Sequence, residues 1–128
     1  MILLDTCVLL WLNTDRAVIT PRAMKALNRH SDGLAFSPVS VMEIAIKKRK
    51  GKLELPVSTP EWMKQLVADY GLIQIPLNFE ISCAVTQLPE IHNDPFDRII
   101  LATAKVNRVS VITSDPVIAR YPGITVIW

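Results

Sequence analysis

The chain has little of what would place it in a membrane or outside the cell. No apolar run approaches the roughly 18 residues of a membrane-spanning helix. The N-terminus has no basic region and carries an acid, Asp5, so it is a poor secretory signal. Only two cysteines are present, Cys7 and Cys83, and reduced thiols are the simplest interpretation. We therefore expect a cytoplasmic protein.

A strong charge of one sign and the spacing of zinc ligands are also missing. The formal net charge is +2, too small by itself to indicate a nucleic-acid partner. His30 and His92 are far apart and lack zinc-ligand spacing. His92, beside an acidic loop, either supports the metal ligands or is solvated, and we expect it to be solvated. The densest basic run, at residues 47–52, either complements a helix C-terminus that Gly51 ends or contacts phosphate, and the two roles are compatible.

The turn and cap residues divide the chain into alternating strands and helices. There is no linker, repeat or low-complexity segment, so residues 1–128 are expected to form one domain. Strands are predicted at Met1–Leu4, Leu34–Ser37, Leu72–Ile75, Val109–Thr113 and Thr125–Trp128. Helices are predicted near Cys7–Leu12, from Pro21 to before Gly33, and over Ser40–Lys50, Thr59–Tyr70, Asn78–Thr86 and Asp94–Asn107. This alternation predicts a three-layer α/β/α fold around a parallel sheet of four to five strands.

Four carboxylates lie at the junctions where predicted strands end and predicted helices begin. Asp5 and Asp115 directly follow strands, Glu43 lies in a capping-box pattern that starts at Ser40, and Asp97 lies in the first turn of a helix. Acids also cap helices, so each one alone has a structural explanation. Strand ends and helix starts share one edge of a parallel sheet, so the four acids are expected to meet there. Such a cluster predicts a divalent cation, and oxygen ligands favour Mg²⁺ or Mn²⁺ over zinc.

Four segments in this order resemble a PIN-domain nuclease, and more narrowly a VapC-type toxin of a toxin–antitoxin pair. They are MILLDT at the start, SVMEIAIKKRKGKLEL (residues 40–55), HNDPFDRIILATA (residues 92–104) and TSD (residues 113–115). The resemblance implies an acidic quartet of Asp5, Glu43, Asp97 and Asp115, with a nearby hydroxyl on Thr6 or Ser114. In the same motif, Asp94 is interpreted as the cap of its helix, and Arg98 either holds a carboxylate or meets phosphate.

The activity implied by the resemblance is divalent-metal-dependent cleavage of RNA. Asp5, Asp97 and Asp115 would be the main ligands, with Glu43 binding a second ion or orienting water. The basic run would steer the RNA backbone through Lys47, Lys48, Arg49, Lys50 and Lys52. The family also implies a homodimer and a small antitoxin that blocks the crevice.

Other functions on a similar fold fit less well. A receiver-like phosphoacceptor needs an acid at the end of strand three, where this chain has Ile75-Pro76. A phosphatase of the haloacid dehalogenase type needs Asp-x-Asp after strand one, where this chain has Asp5-Thr6-Cys7. A non-catalytic RNA-binding or scaffold module stays open. The role of Trp62 and Met63 also stays open. These residues lie either in the core or at an interface, and we expect the core. Cys7 is expected to be a small buried residue and not a ligand.

Overall fold

Five short strands form one parallel sheet in the computed structural model, which describes residues 1–128. In chain order the strands are β1 (Ile2–Leu4), β2 (Leu34–Phe36), β3 (Ile73–Gln74), β4 (Ser110–Ile112) and β5 (Val126–Ile127). Across the sheet the order is β3-β2-β1-β4-β5, and all neighbouring pairs are parallel. The chain therefore moves from β1 to one side and later returns to the other. The reversal lies between β1 and β4, which is where open α/β sheets bind ligands.

Six α-helices connect and cover the strands. They are α1 (Thr6–Thr14), α2 (Pro21–Arg29), α3 (Pro38–Arg49), α4 (Thr59–Tyr70), α5 (Phe79–Gln87) and α6 (Pro95–Asn107). Short 3₁₀ turns lie at Arg16–Val18 and Ile118–Arg120. None of these helices combines the length and the apolar character needed to cross a bilayer.

The two faces of the sheet carry separate halves of the core, as alternation along a strand requires. Ile2 and Leu4 of β1 pack with side chains of α1 to α4, whereas Leu3 between them packs with α5 and α6. Trp62 and Met63 are each 5% exposed in the first half, so their assignment to the core is confirmed. The predicted three-layer α/β/α fold and parallel sheet are also confirmed.

Most predicted helix starts are correct, because the chain marks them with a capping residue followed by proline. The Thr20 hydroxyl accepts a hydrogen bond from the Ala23 amide at the start of α2. Asp94 caps α6 as expected, accepting from the amides of Phe96 and Asp97 at 2.8 and 3.4 Å.

The capping box predicted at Ser40 is wrong. Helix α3 begins two residues earlier, at Pro38, with Ser37 as its N-cap and the Ser37 hydroxyl accepting from the Val39 amide at 3.3 Å. Proline suits the first helical position because it has no N–H to satisfy there and its φ is already helical. Glu43 is consequently the sixth residue of α3 and not part of its first turn.

Candidate metal centre

Asp5 is the most deeply buried acid at the sheet edge. It follows β1, is 4% exposed, and is the N-cap of α1, with Oδ1 accepting from the Thr6 amide at 2.8 Å. Its Oδ2 accepts a hydrogen bond from the Thr113 hydroxyl at 2.6 Å. The Thr113 hydroxyl in turn accepts from the Asp115 amide at 3.1 Å. One buried hydroxyl therefore ties the acid after β1 to the loop after β4.

The two residues predicted to place a hydroxyl near the site, Thr6 and Ser114, do not bind Asp5 through that hydroxyl. The Thr6 hydroxyl donates to Ser40 Oγ at 2.9 Å, so it joins α1 to α3, and only the Thr6 amide meets Asp5. Ser114 makes none of the hydrogen bonds that hold the acids. Thr113 is the residue missed, although its position is readable from the sequence. It is the last residue of the predicted strand, next to the β1 end in a parallel sheet.

Asp97 and Asp115 face each other across a histidine. Asp97 is the third residue of α6, and its Oδ2 lies 2.9 Å from His92 Nε2. Asp115 Oδ2 lies at the same distance from the same nitrogen, while its Oδ1 accepts from the Val117 amide at 2.9 Å. One ligand atom from each of these three side chains lies within 4.8 Å of the other two. These atoms are close enough together to serve a single cation.

His92 is not solvated, so that expectation is wrong. Its side chain is 17% exposed, and Nδ1 accepts a hydrogen bond from the Asp94 amide at 3.2 Å. A neutral imidazole that accepts at Nδ1 carries its proton on Nε2. His92 therefore presents an N–H to both carboxylates. The bend imposed by Asp94-Pro95 folds the histidine back over the first turn of α6, which spacing alone does not reveal.

Glu43 reaches the crevice from the middle of α3. The residue is 7% exposed, and Oε2 forms an ion pair with Lys47 Nζ at 2.9 Å, one helical turn later. Burial opposes the charge on Lys47, but the hydrogen bond to Glu43 raises the Lys47 pKa. Oε1 of Glu43 is buried and has no hydrogen-bond partner. A buried carboxylate oxygen without a partner is costly, so this atom requires an additional ligand or donor.

The four acids act on one another electrostatically. Burial, and then the charges of Asp5, Asp94 and Glu43, raise the pKa of Asp97 to about 7, with His92 opposing them. Burial also raises the pKa of Asp5, against the hydrogen bonds from Thr113 and Thr6 and with the charges of Glu43 and Asp115. Of the four predicted acids, Asp97 and Asp115 are brought together with His92, whereas Asp5 and Glu43 lie outside that close group and act on it through their charge. Repulsion among these charges favours either a proton or a cation there.

The donor set fits a divalent cation such as Mg²⁺ or Mn²⁺. All four acids offer hard oxygen atoms, which these ions prefer, and Glu43 Oε1 is a buried oxygen that lacks a partner. Cys7 is half-buried at the edge of the crevice, and burial followed by the charge of Asp5 raises the pKa of its thiol to about 11. Both cysteines are free. The thiol form is a poor metal ligand, in keeping with the role expected for Cys7.

Arg98 holds backbone carbonyls and no carboxylate. Its Nη2 donates to the carbonyls of Val85 and Leu88 at 2.9 and 3.2 Å, and Nη1 donates to Pro89 at 2.9 Å and, more weakly, to His92 at 3.5 Å. Nη1 also lies 3.4 Å from the Tyr121 hydroxyl. Of the two roles left open for Arg98, contact with a carboxylate is absent, because the C-terminus of α5 offers its unpaired carbonyls beside this arginine.

The basic run does not act as one unit. Lys47 pairs with Glu43, and Lys48 Nζ donates to the Val57 carbonyl at 2.8 Å, which holds the segment after α3. Arg49, Lys50 and Lys52 are exposed, with Gly51 in a left-handed turn at the end of the helix. Of the five predicted RNA-binding cations, three therefore remain fully available to a partner from outside.

Comparison with known proteins identifies the family and the fold of the chain. The family model of the PIN domain matches residues 2–124. A chain of VapBC2 from Rickettsia felis, bound to a promoter DNA fragment, has a TM-score of 0.74 at 13% identity, covering 98% of this chain and 97% of that chain. A toxin–antitoxin complex from Klebsiella pneumoniae has a TM-score of 0.67 at 25% identity, covering 98% and 96%. FitAcB from Neisseria gonorrhoeae has a TM-score of 0.64 at 19% identity, covering 98% and 96%.

No curated protein matches the chain in sequence. The family model nevertheless spans nearly the whole length, and the segments it covers include all four acids. The chain therefore belongs to the PIN-domain family, whose members are generally nucleases, and it shares its fold with chains of VapBC toxin–antitoxin complexes.

Proposed function

We propose that this protein is a divalent-metal-dependent endoribonuclease and the toxin of a toxin–antitoxin pair. The observation that carries the proposal is the crevice in which ligand atoms of Asp97, Asp115 and His92 lie within 4.8 Å of one another, beside the buried Asp5 and a Glu43 oxygen that is left unpaired. A purely structural cluster would pair its acids with arginine or lysine, and only Glu43 has such a partner.

The ion would be held by Asp5, Asp97 and Asp115, and Glu43 would serve a second ion or a water molecule. When bound, Mg²⁺ or Mn²⁺ supplies an acidified water and neutralises charge on the phosphate. Thr113 and Thr6 fix the orientation of the Asp5 carboxylate through both of its oxygens. Glu43 Oε1 accepts a proton or a hydrogen bond from the attacking water, while Lys47 Nζ pairs with the other oxygen of that carboxylate, Oε2.

His92 positions two of the proposed ligands. Its Nε2–H lies 2.9 Å from Asp97 Oδ2 and from Asp115 Oδ2, so the two carboxylates are kept together without direct contact between their charges. The backbone of His92 is itself fixed, because its amide donates to the Tyr121 hydroxyl at 2.7 Å. This arrangement pre-organises the crevice for an ion at little further cost in entropy.

RNA cleavage by the purified protein tests the enzymatic proposal. We expect the parent to cleave RNA with Mg²⁺ or Mn²⁺ and to stop with a chelator, leaving 5′-phosphate and 3′-hydroxyl ends. Asp97→Asn removes one proposed ligand at nearly constant volume and should abolish cleavage. Asp32→Asn, on an exposed turn, is the matched control and should stay active. Cleavage that survives the chelator and leaves 2′,3′-cyclic phosphate would refute the metal mechanism.

The proposal also includes a homodimer and an antitoxin. Structural neighbours in toxin–antitoxin complexes support the antitoxin. Phe79, at 85% exposure, and Leu77, at 44%, are apolar side chains left outside the core, which favours an interface with another chain. Sedimentation that shows only monomer at high concentration would argue against the dimer. Failure of a co-expressed partner protein to relieve growth arrest would argue against the toxin assignment.

A further inference from the structure

One face of α2 carries cations that the proposed activity does not use. Arg22, Lys25 and Arg29 are exposed on this face, while Ala23 and Leu27 on the other face are buried in the core. No acid lies on the helix. The three cations form no ion pair, since the salt bridges of the protein involve only Lys47 and His92 as cationic partners.

The charge pattern on α2 is unfavourable for the helix itself. Arg22 and Lys25 are three residues apart and Lys25 and Arg29 four apart, so these like charges face one another along the surface. Arg22 also lies in the first turn, at the positive end of the helix dipole. Helix stability alone would favour acids at some of these positions. A negatively charged partner accounts for the pattern.

The cations border a concave surface. Between α2 and the end of β5 lies a cleft of about 220 Å³, lined by Arg22, Lys25, Ala26, Arg29, His30 and Ile127. Four of these six side chains carry nitrogen donors, and Ala26 and Ile127 give the cleft an apolar part. Guanidinium groups bind phosphate oxygens in pairs, which suits this surface to a phosphodiester chain.

The cleft is connected to the acidic crevice through one strand. The Ile127 carbonyl accepts a hydrogen bond from the Thr113 amide at 3.3 Å, and the Thr113 hydroxyl donates to Asp5 Oδ2. Neighbouring strands lie about 4.8 Å apart, so the cleft begins one strand away from the residue that holds Asp5. The end of β5, which lines the cleft, thus lies beside the end of β4, which carries Thr113.

We propose that the basic face of α2, defined as Arg22, Lys25 and Arg29, binds the phosphate backbone of the RNA outside the scissile bond. The inference rests on the proposed function, because it extends the substrate path of the same crevice. An acidic protein segment is the competing ligand for these cations. RNA is favoured because the substrate also occupies the neighbouring acidic crevice, whereas an acidic protein segment bound to α2 does not have to. The surface supplies affinity and register, and not base specificity.

Binding of a labelled RNA hairpin with single-stranded tails tests the inference. The assay uses Asp97→Asn, so that the RNA stays intact, and compares it with the same chain carrying Arg22→Gln, Lys25→Gln and Arg29→Gln. The matched control carries Lys64→Gln, Lys105→Gln and Arg120→Gln, which remove the same charge from exposed positions on other elements. Thermal unfolding of both variants checks the fold. The α2 variant should be no less stable than its parent, because it relieves like-charge repulsion.

The dissociation constant is measured over a range of salt concentrations. We expect the α2 variant to bind RNA at least about tenfold more weakly and to lower the slope of log K against log salt by about 2, the value for three lost single-strand phosphate contacts. The control should keep nearly the parent slope. An equal loss in both variants, or none in the α2 variant, overturns the inference. Weaker binding of an acidic antitoxin segment with unchanged RNA binding overturns it as well.

The same data separate this inference from the proposed function. If the parent cleaves RNA and Asp97→Asn binds it, but the α2 variant binds equally well, only the role of α2 is wrong. If the parent neither cleaves nor binds RNA, the proposed function fails, and the role of α2 fails with it.

Discussion

Three different sets of partners hold the four carboxylates of the crevice. Two donors hold Asp5, the amide of Thr6 and the hydroxyl of Thr113. Glu43 is held by a lysine of its own helix, and Asp97 and Asp115 share the Nε2–H of His92. None of these contacts neutralises the whole cluster. The residual charge is what a metal ion would balance.

Without metal, the protein should lose stability as the pH rises from about 4 towards 7. The pKa of Asp97 is about 7 in the folded state and near 3.8 in the unfolded chain, so the folded state binds more protons between these values. Stability then falls with rising pH, by at most about 1.4 kcal/mol per unit for one proton. Urea unfolding in chelator across this range measures the effect, with divalent cation as a parallel series.

Asp97→Asn is the control for that pH dependence. The amide cannot titrate, so the variant should show a flatter curve and greater stability than the parent at neutral pH in chelator. Saturating divalent cation should raise the neutral-pH stability of the parent by mass action. A parent curve that rises between these pH values would contradict the raised pKa of Asp97.

Cys7 offers a reporter of charge in the crevice. Burial and then the negative charges of Asp5, Glu43 and Asp97 raise the pKa of its thiol to about 11, with Lys47 opposing them. A divalent cation among these acids should lower that pKa and speed alkylation, since the thiolate is the nucleophile. The rate of iodoacetamide labelling against pH, in a Cys83→Ser background, measures the shift. An unchanged Cys7 pKa on adding Mn²⁺ would mean that the ion binds elsewhere.

At the scale of elements, the arrangement of α5 and α6 determines where Asp97 points. Helix α6 follows the Asp94-Pro95 cap, and Arg98 on its first turn binds the carbonyls at the end of α5 and in the loop between the helices. The same arginine contacts the carbonyl of His92. Arg98 therefore fixes the loop that brings His92 onto the carboxylates.

Replacing Arg98 by glutamine should destabilise the protein by about 2–4 kcal/mol, because several part-buried carbonyls lose a charged donor. The exposed Arg120→Gln, which removes the same charge, should change stability by less than about 0.5 kcal/mol. Chemical denaturation of both variants makes the comparison. If Arg98→Gln is as stable as Arg120→Gln, the carbonyl contacts of Arg98 contribute little and its role must be sought at phosphate.

The elements also show what sequence patterns can and cannot locate. Cap-proline pairs locate the starts of α2 and α6 correctly, because both signals are local. The start of α3 was misjudged because Ser40 and Glu43 match a capping box while Ser37-Pro38 gives the stronger signal. Observed strands are one or two residues shorter than predicted.

For the whole molecule, the sequence is sufficient for the architecture, whereas the metal site of four acids stays a prediction. Alternating strands and helices predict the parallel sheet, and strand ends predict which acids meet. The contacts that each residue makes within the cluster could not be predicted from the sequence. Whether His92 faces solvent, which hydroxyl meets Asp5 and what Arg98 binds all depend on loop paths of a few residues. Those paths follow from packing against distant elements and not from local periodicity.

Binding of Mn²⁺ to the purified protein, followed by electron paramagnetic resonance, tests the central claim most directly. The account predicts saturable binding that Mg²⁺ competes away and that Asp97→Asn or Asp5→Asn weakens at least about tenfold, equivalent to about 1.4 kcal/mol. The exposed Asp32→Asn should bind as the parent does. Absence of saturable binding, or equal binding by all three variants, would show that the four acids do not hold a cation.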